Sequence, residues 1–192
     1  MTIKIGEYVA FGFGVGSTQD CNTMGDVKGK EKTKMELARA VSNVILLIGK
    51  PGAGKTMFAR RLHEYMPDLP EHAKEQITET YRDIMRNPKL KKVEQRPFRA
   101  PHHTVGAAGM SGECELAQHG VLFLDEAPEF SKHVLGDGIR EASQSGNTTV
   151  VVATNPCPCG GHRGCQCSQE SIERYLDRVS ETVTGPRVVI KV

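Results

Sequence analysis

The chain has 192 residues, 38% hydrophobic and 25% charged, which is the balance of one globular domain rather than of a fibrous or low-complexity chain. Its net charge of +2, from 25 Lys and Arg against 23 Asp and Glu, is too even to announce a nucleic-acid partner by charge alone. No apolar run reaches the roughly 18–20 residues that span a bilayer, and no basic stretch leads into an apolar core at the N-terminus, so a cytoplasmic chain with no membrane partner is expected.

Residues 1–24 form an N-terminal arm without an assignment. Gly12, Gly14 and Gly16 alternate with apolar residues there, which is not a dinucleotide fingerprint and reads as a loose strand. Residues 25–192 read as one globular core. Met35, Leu37, Ala38 and Val41 among charges predict a short helix over 30–42. Asn43–Ile48 is a continuous apolar run, as in a strand buried on both faces of a parallel sheet. After a glycine-rich break, Lys55–Met66 predicts a helix with Met57, Phe58, Leu62 and Met66 on one side. Glu71–Arg86 has Ala73, Ile77, Tyr81, Ile84 and Met85 at helical spacing, and Pro88 ends it. Residues 88–106 are basic and Pro-rich, mostly loop with a short extended piece near Phe98. Val121–Leu124 and Val150–Ala153 are two further buried-strand runs. Phe130–Ser145 is weakly helical, interrupted by Gly136 and Gly138. Ser168 caps a helix whose apolar face is Ile172, Tyr175, Leu176 and Val179, and Val188–Val192 ends the chain as a strand. Alternating strands and helices predict an α/β fold with a largely parallel sheet.

Gly49-Lys50-Pro51-Gly52-Ala53-Gly54-Lys55-Thr56 fits G-x-x-x-x-G-K-[ST] in full, between a buried strand and a helix. Glycines let such a loop turn its N–H groups toward phosphate oxygens, and the helix N-terminus adds partial positive charge. Lys55 would reach the outer phosphates of ATP, and the Thr56 hydroxyl would ligate Mg2+. Val121–Leu124 runs into Asp125 and Glu126, an apolar strand ending in two acids. Asp125 is placed on Mg2+ through water, and Glu126 as the base for the attacking water. The next strand ends at Asn155, whose amide can both donate to and accept from that water.

Cys157, Cys159, Cys165 and Cys167 lie in a C-x-C-x5-C-x-C loop over 157–167. Three readings stay open: a Zn2+ site of four thiolates, in which His162 can replace one ligand, free thiols, or disulfides. Cys21 and Cys114 have no sequence neighbours of this kind. Lys89, Lys91, Lys92, Arg96 and Arg99 with His102 and His103 form a basic stretch, read either as phosphate contacts to DNA or as a solvated loop or subunit contact.

In this order the motifs resemble those of the AAA+ superfamily of P-loop ATPases. The phrases Gln95–Thr104 (QRPFRAPHHT), Gly120–Phe130 (GVLFLDEAPEF) and Asn155–Gly160 (NPCPCG) resemble, more specifically, the magnesium-chelatase-like ATPases of the ComM/YifB family, over roughly residues 25–180. The resemblance implies an AAA+ three-layer core, Mg2+-dependent ATP hydrolysis between subunits, and a hexameric ring of copies of the chain. In ComM-like relatives the ring is a DNA helicase, which makes DNA an expected partner. In the chelatases the ring powers metal insertion into a porphyrin. Asp26 and Val27 resemble the segment that helps hold the adenine.

The chain also departs from that pattern. Members of the family carry a Lon-protease-like domain ahead of the ATPase and a helical lid after it. Neither is expected here, so a separate chain carrying the missing domains is an expected partner. The segments after Met110 and between Phe130 and Val150 look short. The family's Leu-Leu-Asp-Arg phrase is replaced by Tyr175-Leu176-Asp177-Arg178, followed by Val183-Thr184-Gly185-Pro186-Arg187. The arginine that acts across the subunit interface is therefore assigned to Arg187, with Arg178 second. Two rivals remain: a nucleotide-binding switch or assembly module without turnover, and a nucleic-acid-binding zinc module with a vestigial ATPase.

Overall fold

The computed structural model describes residues 44–161, 164–183 and 187–191. The arm, the helix expected over 30–42, Cys21, Asp26, Val27 and His162 lie outside them.

Five strands form one sheet: β1 (Val44–Ile48), β2 (Phe98–Arg99), β3 (Val121–Leu124), β4 (Thr149–Thr154) and β5 (Arg187–Lys191). Their order is β2-β3-β4-β1-β5, and every neighbouring pair is parallel. Parallel neighbours need crossover connections, which the helices supply. Each central strand is buried on both faces, which is why β1, β3 and β4 read as unbroken apolar runs.

Alternation along the strands sends the side chains to two cores. Val44, Leu46, Leu122, Leu124, Val150 and Val152 face one layer, with Met110, Leu135, Ile139 and Val179 from three helices. Ile45, Leu47, Phe123, Val151 and Ala153 face the other, with Phe58, Ala59 and Leu62. Burial of each large apolar chain contributes about 1.5–3 kcal/mol, so the two helical layers hold the sheet between them. The result is a three-layer α/β/α core.

The helices follow the predicted order with four differences. The helix after the glycine-rich loop, α1 (Lys55–Arg61), tightens into a 3-10 turn at Leu62–Tyr65 rather than running on to Met66. In α2 (Glu71–Ile84) the packed residues are Ala73, Ile77 and Thr78, and the Tyr81 hydroxyl donates to the Leu116 carbonyl. Its end turns outward, leaving Ile84 39% and Met85 49% exposed, outside the apolar face expected of them. The third difference is α3 (Ala107–Leu116), a helix in a stretch with Gly109 and Gly112 to which the sequence assigned no element. It forms because Met110, Cys114 and Leu116 are buried, and tertiary packing of this kind outweighs glycine's propensity cost of about 1 kcal/mol.

Helix α4 (Lys132–Gln144) starts at Ser131, whose hydroxyl accepts from the Val134 N–H at 3.3 Å. It runs unbroken through Gly136 and Gly138. At Gly138 an added Cβ would lie 2.7 Å from Met110 Cγ, so this glycine lets α3 approach α4. Helix α5 (Gln169–Ser180) starts at Ser168 as expected, with the hydroxyl accepting from the Ser171 N–H at 3.2 Å. Among the described residues no helix is long and apolar enough to cross a membrane.

Candidate nucleotide site

In a parallel sheet the carboxyl ends of neighbouring strands open at one edge, where ligands of α/β proteins bind. Here β1, β3 and β4 deliver Gly49, Asp125 and Asn155 to that edge. The β1 and β4 ends are tied together, since the Gly49 N–H donates to the Thr154 carbonyl at 3.1 Å. A cleft of about 360 Å3 opens there, lined by Gly52, Lys55, Thr56, Asp125, Glu126 and Asn155 among others.

The loop after β1 turns back on itself through the Ala53 N–H, which donates to the Lys50 carbonyl at 3.1 Å. Gly52 (φ 76°) and Gly54 (φ 94°) take left-handed conformations that a side chain would strain. Gly54 leads directly into α1, so the N-terminus of that helix faces the cleft. Gly49, Lys50, Pro51, Gly52 and Ala53 thus form a cradle with no side-chain bulk at its two sharpest points.

Lys55 is 9% exposed. Its ammonium donates to the Gly49 carbonyl at 2.7 Å, the Lys50 carbonyl at 3.1 Å and Asn155 Oδ1 at 3.2 Å. Burial lowers its pKa from the ordinary lysine value, and the charges of Asp125 and Glu126 work against that shift. All three of its partners are neutral oxygens. The Thr56 hydroxyl donates to Asp125 Oδ2 at 3.3 Å, and Asp125 Oδ1 accepts from the Glu126 N–H at 2.9 Å. Thr56 and Asp125 are therefore two hard oxygen donors side by side, the kind Mg2+ takes. Glu126 has a left-handed backbone (φ 51°), which turns it out of line with β3 at the rim of the cleft. Its carboxylate lies 3.8 Å from His103 Nδ1.

The structure thus brings Lys55, Thr56, Asp125, Glu126 and Asn155 together. Arg187 is described only through its backbone. Its backbone pairs in register with Val44, at the opposite end of the sheet from the cleft. Arg178 lies exposed on α5.

Two neighbours were not legible as site residues. His103 read as part of a basic stretch, yet its ring stacks on His102 with centroids 4.0 Å apart and meets Phe130 edge-on. Tyr175 read as an apolar face residue. It reaches back from α5 to the Thr154 hydroxyl and the Asn155 backbone, and burial raises its pKa. The only sequence signal was a hydroxyl on an otherwise apolar helix face.

The four clustered cysteines converge at the end of the same loop, with all four sulfurs within 4.8 Å of one another. Burial pushes the Cys157 thiol up to about 12, and the hydrogen bond with Cys165 draws Cys159 down to about 6. Cys114 stands apart and buried, donating to the Gly138 carbonyl at 3.5 Å, with its thiol pushed up to about 12 by burial.

Much of the basic stretch is committed inside the protein. Arg99 grips both carboxylate oxygens of Glu113, at 2.6 and 2.8 Å. Arg96 donates to the His119 and Pro67 carbonyls, each at 2.5 Å, and Lys92 pairs with Glu71. Lys89, Lys91 and Lys92 are exposed, and of the three Lys92 is the one paired with a carboxylate.

Comparison with known proteins agrees with this geometry. The chain is 36% identical over 184 residues to an uncharacterized protein YifB of Escherichia coli, covering 82% of this chain and 36% of that one. It is 34% identical over 182 residues to the competence protein ComM of Haemophilus influenzae, covering 81% of this chain and 36% of that one. The chain thus spans about a third of the length of these relatives. A solved structure titled "Structural Basis for Katanin Self-Assembly" aligns at a TM-score of 0.46 and 17% identity, over 88% of this chain and 53% of that one. The family described as "Magnesium chelatase, subunit ChlI" matches residues 23–192, so the chain belongs to that family, and its all-parallel α/β core is of the AAA+ P-loop type.

Proposed function

We propose that the chain is the ATP-binding and ATP-hydrolysing core of a ring-forming motor that acts on DNA, in the manner of its ComM-like relatives. The observation that carries this reading is the buried Lys55 ammonium resting on three neutral oxygens beside the Thr56–Asp125 pair. A cation held by carbonyls is easily re-partnered, because no charge has to be separated when phosphate oxygens replace them. The N–H groups of the glycine-rich loop and the N-terminus of α1 would meet the same phosphates. Thr56 and Asp125 would hold Mg2+, which neutralises charge building on the phosphates.

Glu126 then takes the proton of the attacking water, and Asn155 orients that water through its amide. His103 is a positioning residue for the Glu126 carboxylate. An arginine of a neighbouring copy completes the site. Because the Arg187 backbone lies at the far end of its own sheet, any part it takes is taken across the interface.

The test is phosphate release from ATP and Mg2+ over a range of protein concentrations, with and without single-stranded and branched DNA. Specific activity that rises with concentration and is lost in Lys55→Ala and Glu126→Gln supports a motor whose sites form between copies. ATP binding without turnover at any concentration, with DNA present, overturns hydrolysis by this chain in favour of a switch or assembly module.

A further inference from the structure

The loop that follows Asn155 carries chemistry that ATP hydrolysis does not use. Its four thiols face one another, with Cys157 buried, Cys167 half-buried, and Cys159 and Cys165 exposed. Cys157 and Cys159 sulfurs are 3.4 Å apart, Cys157 and Cys165 3.6 Å, and Cys159 and Cys165 3.2 Å. Four thiolates around one Zn2+ at about 2.3 Å each would have sulfur–sulfur edges of about 3.8 Å. The observed spacings and the 4.8 Å outer limit bracket that value, so small shifts would close a tetrahedron.

A donor set of sulfur alone selects a thiophilic ion, Zn2+ first by abundance of such sites, over the Mg2+ of the neighbouring cleft.

The position of the cluster gives it a mechanical consequence. Cys157 is 3% exposed and stands two residues after Asn155, with only Pro156 between. The Gly160 N–H closes the turn onto the Cys157 carbonyl at 2.9 Å. Gly161 then lies so close to the nucleotide loop that an added Cβ would be 2.6 Å from Pro156 Cγ and 3.6 Å from Lys50 Cγ. Beyond Cys167, Ser168 starts α5, and Tyr175 returns to Thr154 and Asn155. The cysteine loop is therefore wedged between the end of β4 and the cradle around Lys50.

We propose that Cys157, Cys159, Cys165 and Cys167 bind one Zn2+ as a tetrathiolate, and that this clip braces the end of β4 against the glycine-rich loop. The ion would replace the cohesion that the short loop, poor in apolar residues, cannot draw from packing.

The test is made on the full chain without nucleotide, so that its outcome is independent of ATP hydrolysis. Elemental analysis of the purified chain is expected to give about one zinc per chain. Replacement by Co2+ is expected to give the intense visible bands and sulfur-to-metal charge transfer of a tetrahedral thiolate site. A chain without metal whose six cysteines all titrate as thiols on denaturation overturns the site, as does one whose cluster is oxidised to disulfides.

Amide hydrogen exchange tests the brace on the same wild-type protein, before and after zinc removal by chelator under reducing conditions. Exchange is expected to rise about tenfold or more at Gly49, whose N–H holds the Thr154 carbonyl, and at Gly160, and to fall again when Zn2+ is returned. Stoichiometric zinc whose removal leaves exchange at Gly49 unchanged overturns the brace. The variant Cys165→Ser is expected to lose zinc while Cys114→Ser keeps it.

Discussion

Lys55, buried, and Arg99, half-buried, are partnered in opposite ways. Lys55 rests on two carbonyls and an amide oxygen at the open edge of the sheet. Arg99, on the edge strand β2, is clamped by both oxygens of Glu113 on α3. A neutral cage leaves Lys55 without a carboxylate in its hydrogen bonds and ready for an anion. A bidentate carboxylate spends the charge of Arg99 on holding a helix to a strand. Two basic residues are thus assigned to binding and to architecture by the charge of their partners.

The largest effect that would break this comparison lies in the cleft. Lys55→Ala is expected to weaken ATP binding by about tenfold or more, since hydrogen bonds to charged groups are worth about 1.5–3 kcal/mol. Titration of a fluorescent ATP analogue checks this. Its thermal midpoint should hold or rise, because a buried charge hydrogen-bonded only to neutral oxygens is removed. Glu126→Gln is expected to keep nucleotide affinity within a few-fold while phosphate release drops by about 10²–10⁴. Equal loss of binding and turnover in both variants would erase the distinction between holding the phosphates and activating water.

Arg99→Ala should act on stability instead, costing about 1–3 kcal/mol in urea unfolding by leaving Glu113 unpaired in a part-buried place. Arg99→Lys separates charge from geometry: it keeps the former, loses the fork, and should still destabilise. Neither should change the salt dependence of DNA binding. Lys89→Ala with Lys91→Ala is expected to lower that log–log slope by about 2 with stability within about 0.5 kcal/mol, if these lysines meet phosphates.

The two glycines of α4 give a smaller contrast of the same kind. Gly138→Ala would push a Cβ to 2.7 Å from Met110 Cγ in the core and is expected to cost about 1 kcal/mol or more. Gly136→Ala meets nothing nearer than Thr182 Cγ2 at 3.9 Å and should stabilise by about 0.5–1 kcal/mol through helix propensity. Equal shifts in Tm for the two would mean that α3 and α4 are less closely packed than described.

The smallest expected effect is a pH slope. The pKa of Lys55 is lowered on folding by burial, so the unfolded chain binds more protons between its folded value and about 10.5. Stability contributed at this site therefore rises with pH across that alkaline window. Comparing wild type with Lys55→Met isolates it from the tyrosines, and no difference in slope would mean that Lys55 is as well solvated as Lys89.

Local backbone chemistry made much of this protein legible. The loop at Gly49–Thr56 needs glycines at its left-handed points and lysine and threonine next to a helix start, all within eight residues, so a sequence pattern captures it. Strands β1, β3 and β4 announced themselves because a strand buried on both faces must be apolar throughout. Asp125, Glu126 and Asn155 followed from standing at the ends of those strands. Helix α3 did not announce itself, because its stability lies in contacts with α2 and α4 rather than in its own glycine-rich sequence.

What only the tertiary structure decided are the pairings between distant segments. Arg99 with Glu113, His103 with Glu126 and Tyr175 with Asn155 are made by elements that the sheet order brings side by side. A charge or a hydroxyl in a sequence states what a residue can bond to. Its partner is set by where the parallel crossovers deliver it, and the partner's charge then determines whether it binds a ligand or holds the fold.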